Sequence, residues 1–375
     1  MTSTTTQSLV DGITSWMQCE SPTSSPEGLA RMVAVIQSYA LEAGLQATET
    51  SFGPHVGPLL HISNRADGDK RPGLLILGHS DTVHPIGTLQ DNPCRIEGDR
   101  LYGPGGYDMK AGIYLALTAL RDLADPVDSA LPVDFVIVPD EETGSHASRP
   151  HIEAFAARAR YTLVCEPARA NGGKCVTARK GTGMLRLSVK GRAAHAGVQH
   201  EKGRSAIREM AHQILALEAM TDYARGVTVS VGTIEGGTAT NTVPALCRCV
   251  VDFRLPDLGA ADELVSKMQA LKAIGPDMEI DIDVEVNRPP MVKSEAVFEL
   301  LARAQESARY AGFTLEDAPM TGGGSDANFT SALGVPTLDG LGADGDGAHT
   351  LQEHILVSTL EARLNFWRHL LTHLG

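Results

Sequence analysis

The sequence predicts an α/β protein in which a second, smaller α/β unit is inserted, and two patterns carry that prediction. Short, continuous apolar runs in the flanks each end in residues that bind metals, whereas the middle of the chain alternates apolar and polar residues between two helical stretches. Continuous runs describe strands buried on both faces. Strict alternation describes a sheet with one wet face.

In the first flank, Leu74-Leu75-Ile76-Leu77 precedes His79, Phe135-Val136-Ile137-Val138 precedes Asp140, and Leu163-Val164-Cys165 precedes Glu166. Ligands in open α/β sheets gather outside the carboxyl ends of the strands, so this repeated order is what one shared site needs. Residues 184–190 then place Leu185, Leu187 and Val189 on one face and Arg186, Ser188 and Lys190 on the other. Residues 205–220 show helical spacing through Ile207, Met210, Ile214 and Leu217. Strand signals follow at 227–234 and 247–255, a helix at 260–274, and an unbroken alternation from Met278 to Val286. The order β-α-β-β-α-β is that of a ferredoxin-like split unit. It lies between Glu166 and His349, so it interrupts the larger domain. Gly and Pro in Asn171-Gly172-Gly173-Lys174 and Arg288-Pro289-Pro290 mark its edges. The expected division is 1–177 with 288–375, and 178–287 for the insert.

Five stretches bring ligand chemistry: Gly78-His79-Ser80-Asp81, Gly105-Gly106-Tyr107-Asp108-Met109-Lys110, Asp140-Glu141-Glu142-Thr143-Gly144, Cys165-Glu166-Pro167 and Gly347-Ala348-His349-Thr350. A single Asp or Glu after an apolar run is more often a loop residue or a helix cap. Together, two imidazoles and a set of carboxylates suit a pair of divalent ions, zinc first. Two ions in one site imply hydrolysis without a serine or cysteine nucleophile. No Gly-x-Ser-x-Gly elbow surrounds these residues, which argues against a serine hydrolase.

At 375 residues, 42% of them hydrophobic, the chain has material for about two domains with a sizeable core. A net charge of −14 argues against nucleic acid as a partner, and no apolar run approaches the roughly 18 residues of a membrane span. Met1-Thr2-Ser3-Thr4-Thr5-Thr6-Gln7 has neither a basic start nor an apolar stretch, so a cytoplasmic location is expected. The six cysteines form no C-x-x-C motif and are expected to stay reduced.

The five stretches, in this order, resemble those of the dinuclear zinc exopeptidase and amidohydrolase family that includes glutamate carboxypeptidase, acetylornithine deacetylase, succinyl-diaminopimelate desuccinylase and aminoacylase. The resemblance covers nearly the whole chain, from His79 to His349. It implies a catalytic domain with a central mixed sheet flanked by helices, and a ferredoxin-like insert that acts as a lid and as the contact of a homodimer. By that resemblance two zinc ions, replaceable by cobalt or manganese, are held by His79 and Glu166 on one side, by Glu142 and His349 on the other, and by Asp108 between them. Glu141 is then the general base, and Asp81 holds the His79 imidazole in one tautomer. The resemblance also implies a cis peptide bond between Asp108 and Met109. Ala111 departs from it, since many relatives carry a second Gly in the Asp-Met-Lys-Gly-Gly run.

Substrate contacts are implied at His195, which resembles the lid histidine that reaches a partner subunit's site and donates to the carbonyl oxygen, and at Asn241. Arg288 resembles the arginine that grips a substrate α-carboxylate in the glutamate carboxypeptidase branch, a task that suits a guanidinium. The loop Thr321-Gly322-Gly323-Gly324-Ser325-Asp326 adds Gly323 and Gly324, whose small size lets backbone N–H groups approach an anion. Glu at position 166 resembles the branches whose substrates carry a free carboxylate beside the scissile amide. The expected activity is release of a C-terminal amino acid such as glutamate from a small peptide, with N-acyl amino acid deacylation as the alternative.

Overall fold

A computed structural model describes residues 4–66, 68–123 and 131–375. The chain forms two compact units, one of Met1–Ala178, Val292–Thr321 and Ser325–Gly375, the other of Arg179–Met291 with Gly322–Gly324.

The first unit is built on a six-stranded mixed sheet in the order Gln46–Thr50, Leu59–Ser63, Val133–Val138, Gly73–His79, Ala159–Val164 and Thr337–Leu338. The last four run parallel and the first two antiparallel. Every residue of Gly73–His79 and of Val133–Val138 is buried, as expected of Leu, Ile and Val runs covered on both faces. Register sets where these strands end. His79 stands opposite Val138, and Leu77 opposite Val164, so the three strands finish together and deliver His79, Asp140 and Glu166 to one edge.

The helix Ala111–Asp122 leaves the Asp108 loop and is buried at ten successive positions, Ala111 to Leu120, so it forms the centre of a helical layer. The helix Leu360–His373 packs against it. Gly112 is required there by space: a Cβ at this position would stand 2.2 Å from the Cys165 carbonyl oxygen. Ala111, the departure from the family pattern, is fully buried, so its methyl group is part of the packing. A small sheet in the order Gly345–Asp346, His354–Leu356, Arg100–Tyr102 and Arg95–Glu97 fixes the loops of Asp108 and His349 beside each other.

The second unit is a four-stranded antiparallel sheet in the order Thr228–Gly236, Leu246–Leu255, Gly181–Lys190 and Glu279–Arg288. Helices Ala206–Glu218 and Leu258–Gln269 supply Met210, Leu217, Leu264 and Met268 to a core that also holds Leu185, Leu187, Val189 and Phe253. This is the ferredoxin-like arrangement expected from the alternation. The second helix stops five residues before the expected 274, although Ala270 to Ile274 contains good helix formers. The N–H groups of Ile274 and Gly275 instead donate to the buried Glu209 carboxylate, each at 2.8 Å, and this tertiary contact ends the helix. The ends of its main segment lie side by side, where Arg179 and Met291 exchange two backbone hydrogen bonds.

Candidate metal centre

Two imidazoles and four carboxylates meet at the sheet edge of the first unit. His79 Nε2 lies 3.0 Å from Asp108 Oδ1 and 3.8 Å from Glu166 Oε1. His349 Nε2 lies 3.3 Å from Asp108 Oδ2 and 3.3 Å from Glu142 Oε2. Asp108 therefore turns one oxygen to each histidine, the disposition of a bridging ligand. Donor atoms of His79, Asp108 and Glu142 fall within 4.8 Å of one another, and so do those of His79, Glu141 and Glu166.

Local structure explains how each group arrives. The Asp108–Met109 peptide bond is cis. Glu141 and Glu142 sit in a single 3-10 turn closed by Gly144 at φ 103°. His349 itself has φ 64°, a left-handed conformation that non-glycine residues adopt rarely and that concentrates at functional sites.

The nearer Asp81 contact with His79 comes from the main chain, where its carboxylate was expected. The Asp81 backbone oxygen lies 2.9 Å from His79 Nδ1, nearer than the carboxylate at 3.4 Å. That contact leaves Nε2 to face Asp108 and Glu166. The carboxylate meanwhile accepts from the backbone N–H of Glu141 at 3.2 Å, from that of Glu142 at 3.1 Å and from Thr23 Oγ1 at 2.7 Å. One buried Asp thus orients an imidazole and the loop of two glutamates.

The electrostatics are those of a cation site. Burial raises Glu142 and Glu166, and for Glu166 the nearby Asp108 and Glu141 carboxylates raise it further. Burial disfavours charge on His79 and Asp108 as well, but hydrogen bonds outweigh it: those with Asp108 and Asp81 hold His79 well above its ordinary range, and those with His349 and His79 hold Asp108 below its own. Hydrogen bonds to Asp108 and Glu142 raise His349 to about 10. Among the described residues, Glu142 Oε1 is buried with no hydrogen-bond partner. A buried carboxylate oxygen without a donor, in a cluster of like charges, fits a divalent cation as the missing partner.

The other expected contacts belong to the second unit. His195 lies on a two-residue strand, Ala194–His195, that pairs with Thr242–Val243, and the Ala196 N–H donates to the Asn241 carbonyl at 2.9 Å. This brings His195 and Asn241 side by side. The Gly197 N–H donates to His195 Nδ1 at 3.2 Å, so Nε2 carries the proton in the neutral ring. Arg288, buried at the end of its strand, donates to Asn287 Oδ1 at 3.1 Å. A Cβ at Gly324 would stand 2.8 Å from Arg288 Cδ, and Gly323 accepts from the buried Arg179 at 3.0 Å. The glycine loop is thus seated on two arginines, of which the sequence pattern marked one.

Residues 75–373 match peptidase family M20/M25/M40. The chain is 30% identical over 362 residues to carboxypeptidase G2 of Pseudomonas sp. (strain RS-16), covering 95% of this chain and 86% of that one. It is 29% identical over 312 residues to succinyl-diaminopimelate desuccinylase of Azoarcus sp. (strain BH72), covering 78% and 80%. It is 33% identical over 254 residues to acetylornithine deacetylase of Myxococcus xanthus, covering 64% and 61%. An M20 family metallo-carboxypeptidase from Sulfolobus solfataricus shares the fold with a TM-score of 0.77 at 18% identity, over 97% of this chain and 98% of that one.

Proposed function

This chain belongs to peptidase family M20/M25/M40, whose members hydrolyse peptide or amide bonds, and from that premise we propose that it is a dinuclear zinc carboxypeptidase. Its substrate is a small peptide or N-acyl compound with a free α-carboxylate beside the scissile amide, and it releases a C-terminal amino acid such as glutamate. The observation that carries the reading is Asp108, with one oxygen towards His79 and the other towards His349.

His79, Glu166, Asp108, Glu142 and His349 would hold the ions. When bound, two zinc ions supply Lewis-acid chemistry, polarising the amide carbonyl and making water a better acid. Glu141 takes the proton of the attacking water and passes it to the departing amine, so the C–N bond breaks as the nitrogen is protonated. Asp81 keeps Glu141 in place through its main chain. His195 donates its Nε2 proton to the carbonyl oxygen as negative charge grows there, with Asn241 beside it. Arg288, with Gly323 and Gly324 against it, grips the α-carboxylate by paired hydrogen bonds.

Homodimerisation through the second unit is part of this reading. It is supported by the edge strand Thr228–Gly236 and by exposed Ile207, Leu215 and Ile234 on that strand and its neighbouring helix. So is a cytoplasmic location, in keeping with six free cysteines, four of them buried. Among the described residues no helix is long and apolar enough to cross a membrane.

The likeness to a desuccinylase and a deacetylase favours a second reading, N-acyl amino acid deacylation. Both reactions leave an α-amino acid as the amine product. A product screen of C-terminal glutamyl peptides against N-acetyl and N-succinyl amino acids, on zinc-loaded protein, separates them: glutamate release at the higher kcat/KM supports the first, and preference for the simple acyl groups the second.

A further inference from the structure

Three of the ligand-bearing loops are tied to one buried carboxylate. Glu353 is 1% exposed and lies four residues after His349, just before the strand His354–Leu356. Its Oε1 accepts from the backbone N–H groups of Tyr107 and Asp108, each at 2.9 Å. Its Oε2 accepts from the Gly105 N–H at 2.9 Å and from His84 Nε2 at 2.6 Å. His84 belongs to the loop that follows His79 and is also buried. The side chain therefore joins the loops of His79, Asp108 and His349.

Four donors converge on two oxygens, which fills the acceptor capacity expected of an ionised carboxylate and is the stronger, charge-assisted kind of hydrogen bonding. The three main-chain donors, Gly105, Tyr107 and Asp108, lead up to and include Asp108 itself, so the position of its carboxylate depends on this anchor. Because Glu353 shares a short loop with His349, the same anchor sets the distance between the bridging carboxylate and the exposed imidazole. A glutamine here keeps the shape but must turn an amide NH₂ towards N–H donors on one side.

We propose that Glu353 is a positioning residue of the metal centre, one that holds Asp108 and His349 in register so that both reach the same ion. The proposal rests on the dinuclear reading above and adds a residue that touches neither ion nor substrate. Its test is a cobalt(II) titration of the metal-free full chain, followed by visible absorption, for wild type, Glu353→Gln and His84→Ala. Glu353→Gln is expected to keep one equivalent near wild-type affinity and to weaken the other by about 10–100-fold. Its kcat is expected to fall at stoichiometric metal and to recover in excess metal, with KM unchanged. His84→Ala, which removes one donor and keeps the three backbone ones, is expected to shift the same equivalent by less; it decides the matter if Glu353→Gln does not fold. Variants with lowered Tm but wild-type titrations would give Glu353 a purely structural role and overturn the proposal alone. A wild type that takes up no cobalt would overturn it together with the dinuclear reading.

Discussion

Two adjacent glutamates of the same chemical type are given different tasks by their surroundings. Glu142 has an oxygen 3.3 Å from His349 and another without a donor among the described residues, whereas Glu141 groups with His79 and Glu166. Glu141→Gln is therefore expected to remove most of kcat while both metals stay bound, and Glu142→Gln to weaken one metal. Metal analysis beside steady-state kinetics checks this, and the reverse pattern would exchange the roles. Protonation adds a second expectation. His349, raised to about 10, and His79, held well above its ordinary value by its carboxylate partners, hold protons that an ion must displace. Zinc affinity should fall as pH is lowered from about 8 to about 6, with net proton release measurable by calorimetry in buffers of different ionisation enthalpy. The metal-free protein has its own dependence. His349 is raised from 6.5 to about 10, so its imidazolium contributes fully below pH 6.5, and that contribution is lost as pH rises through 10.

At the level of elements, the close approach of Gly112, at the start of the helix Ala111–Asp122, to Cys165, just beyond the strand Ala159–Val164, sets where Asp108 meets Glu166. Gly112→Ala would drive a methyl group into the Cys165 carbonyl. It should destabilise the protein by about 1–3 kcal/mol in chemical denaturation and weaken metal binding with it. Apolar runs and alternation were sufficient to anticipate the buried strands and the inserted unit, because burial on two faces or on one leaves a direct mark in the pattern. The ends of the second helix of that unit were not legible, since Glu209 intercepts Ile274 and Gly275 through a contact 65 residues away in sequence. The candidate ligands His79, Glu142 and Glu166 were legible because each ends or closely follows a buried strand. Their supports were less so: Glu353 and Thr23 are lone polar residues in loops, and only the fold shows that they reach Asp108 and Asp81.

At the scale of the whole molecule, the proposed dimer makes a claim that single subunits do not. His195→Ala should lower kcat by roughly 10²–10³-fold, the usual loss for one oxyanion donor, without altering zinc content. If His195 serves a partner's site, mixing His195→Ala with Glu141→Gln under subunit exchange should restore activity, because one site of the heterodimer combines an intact Glu141 with a partner's intact His195. Proven heterodimers without recovery would confine His195 to its own subunit or remove it from the reaction. Both the single-subunit chemistry and the dimer claim depend on His79, Glu142, Glu166 and His349 acting together around Asp108, and the metal content of the active enzyme tests that most directly. Elemental analysis of purified, active protein should give close to two zinc equivalents per chain, with activity lost on chelation and regained on adding zinc. Full activity at a metal content near zero would contradict the account.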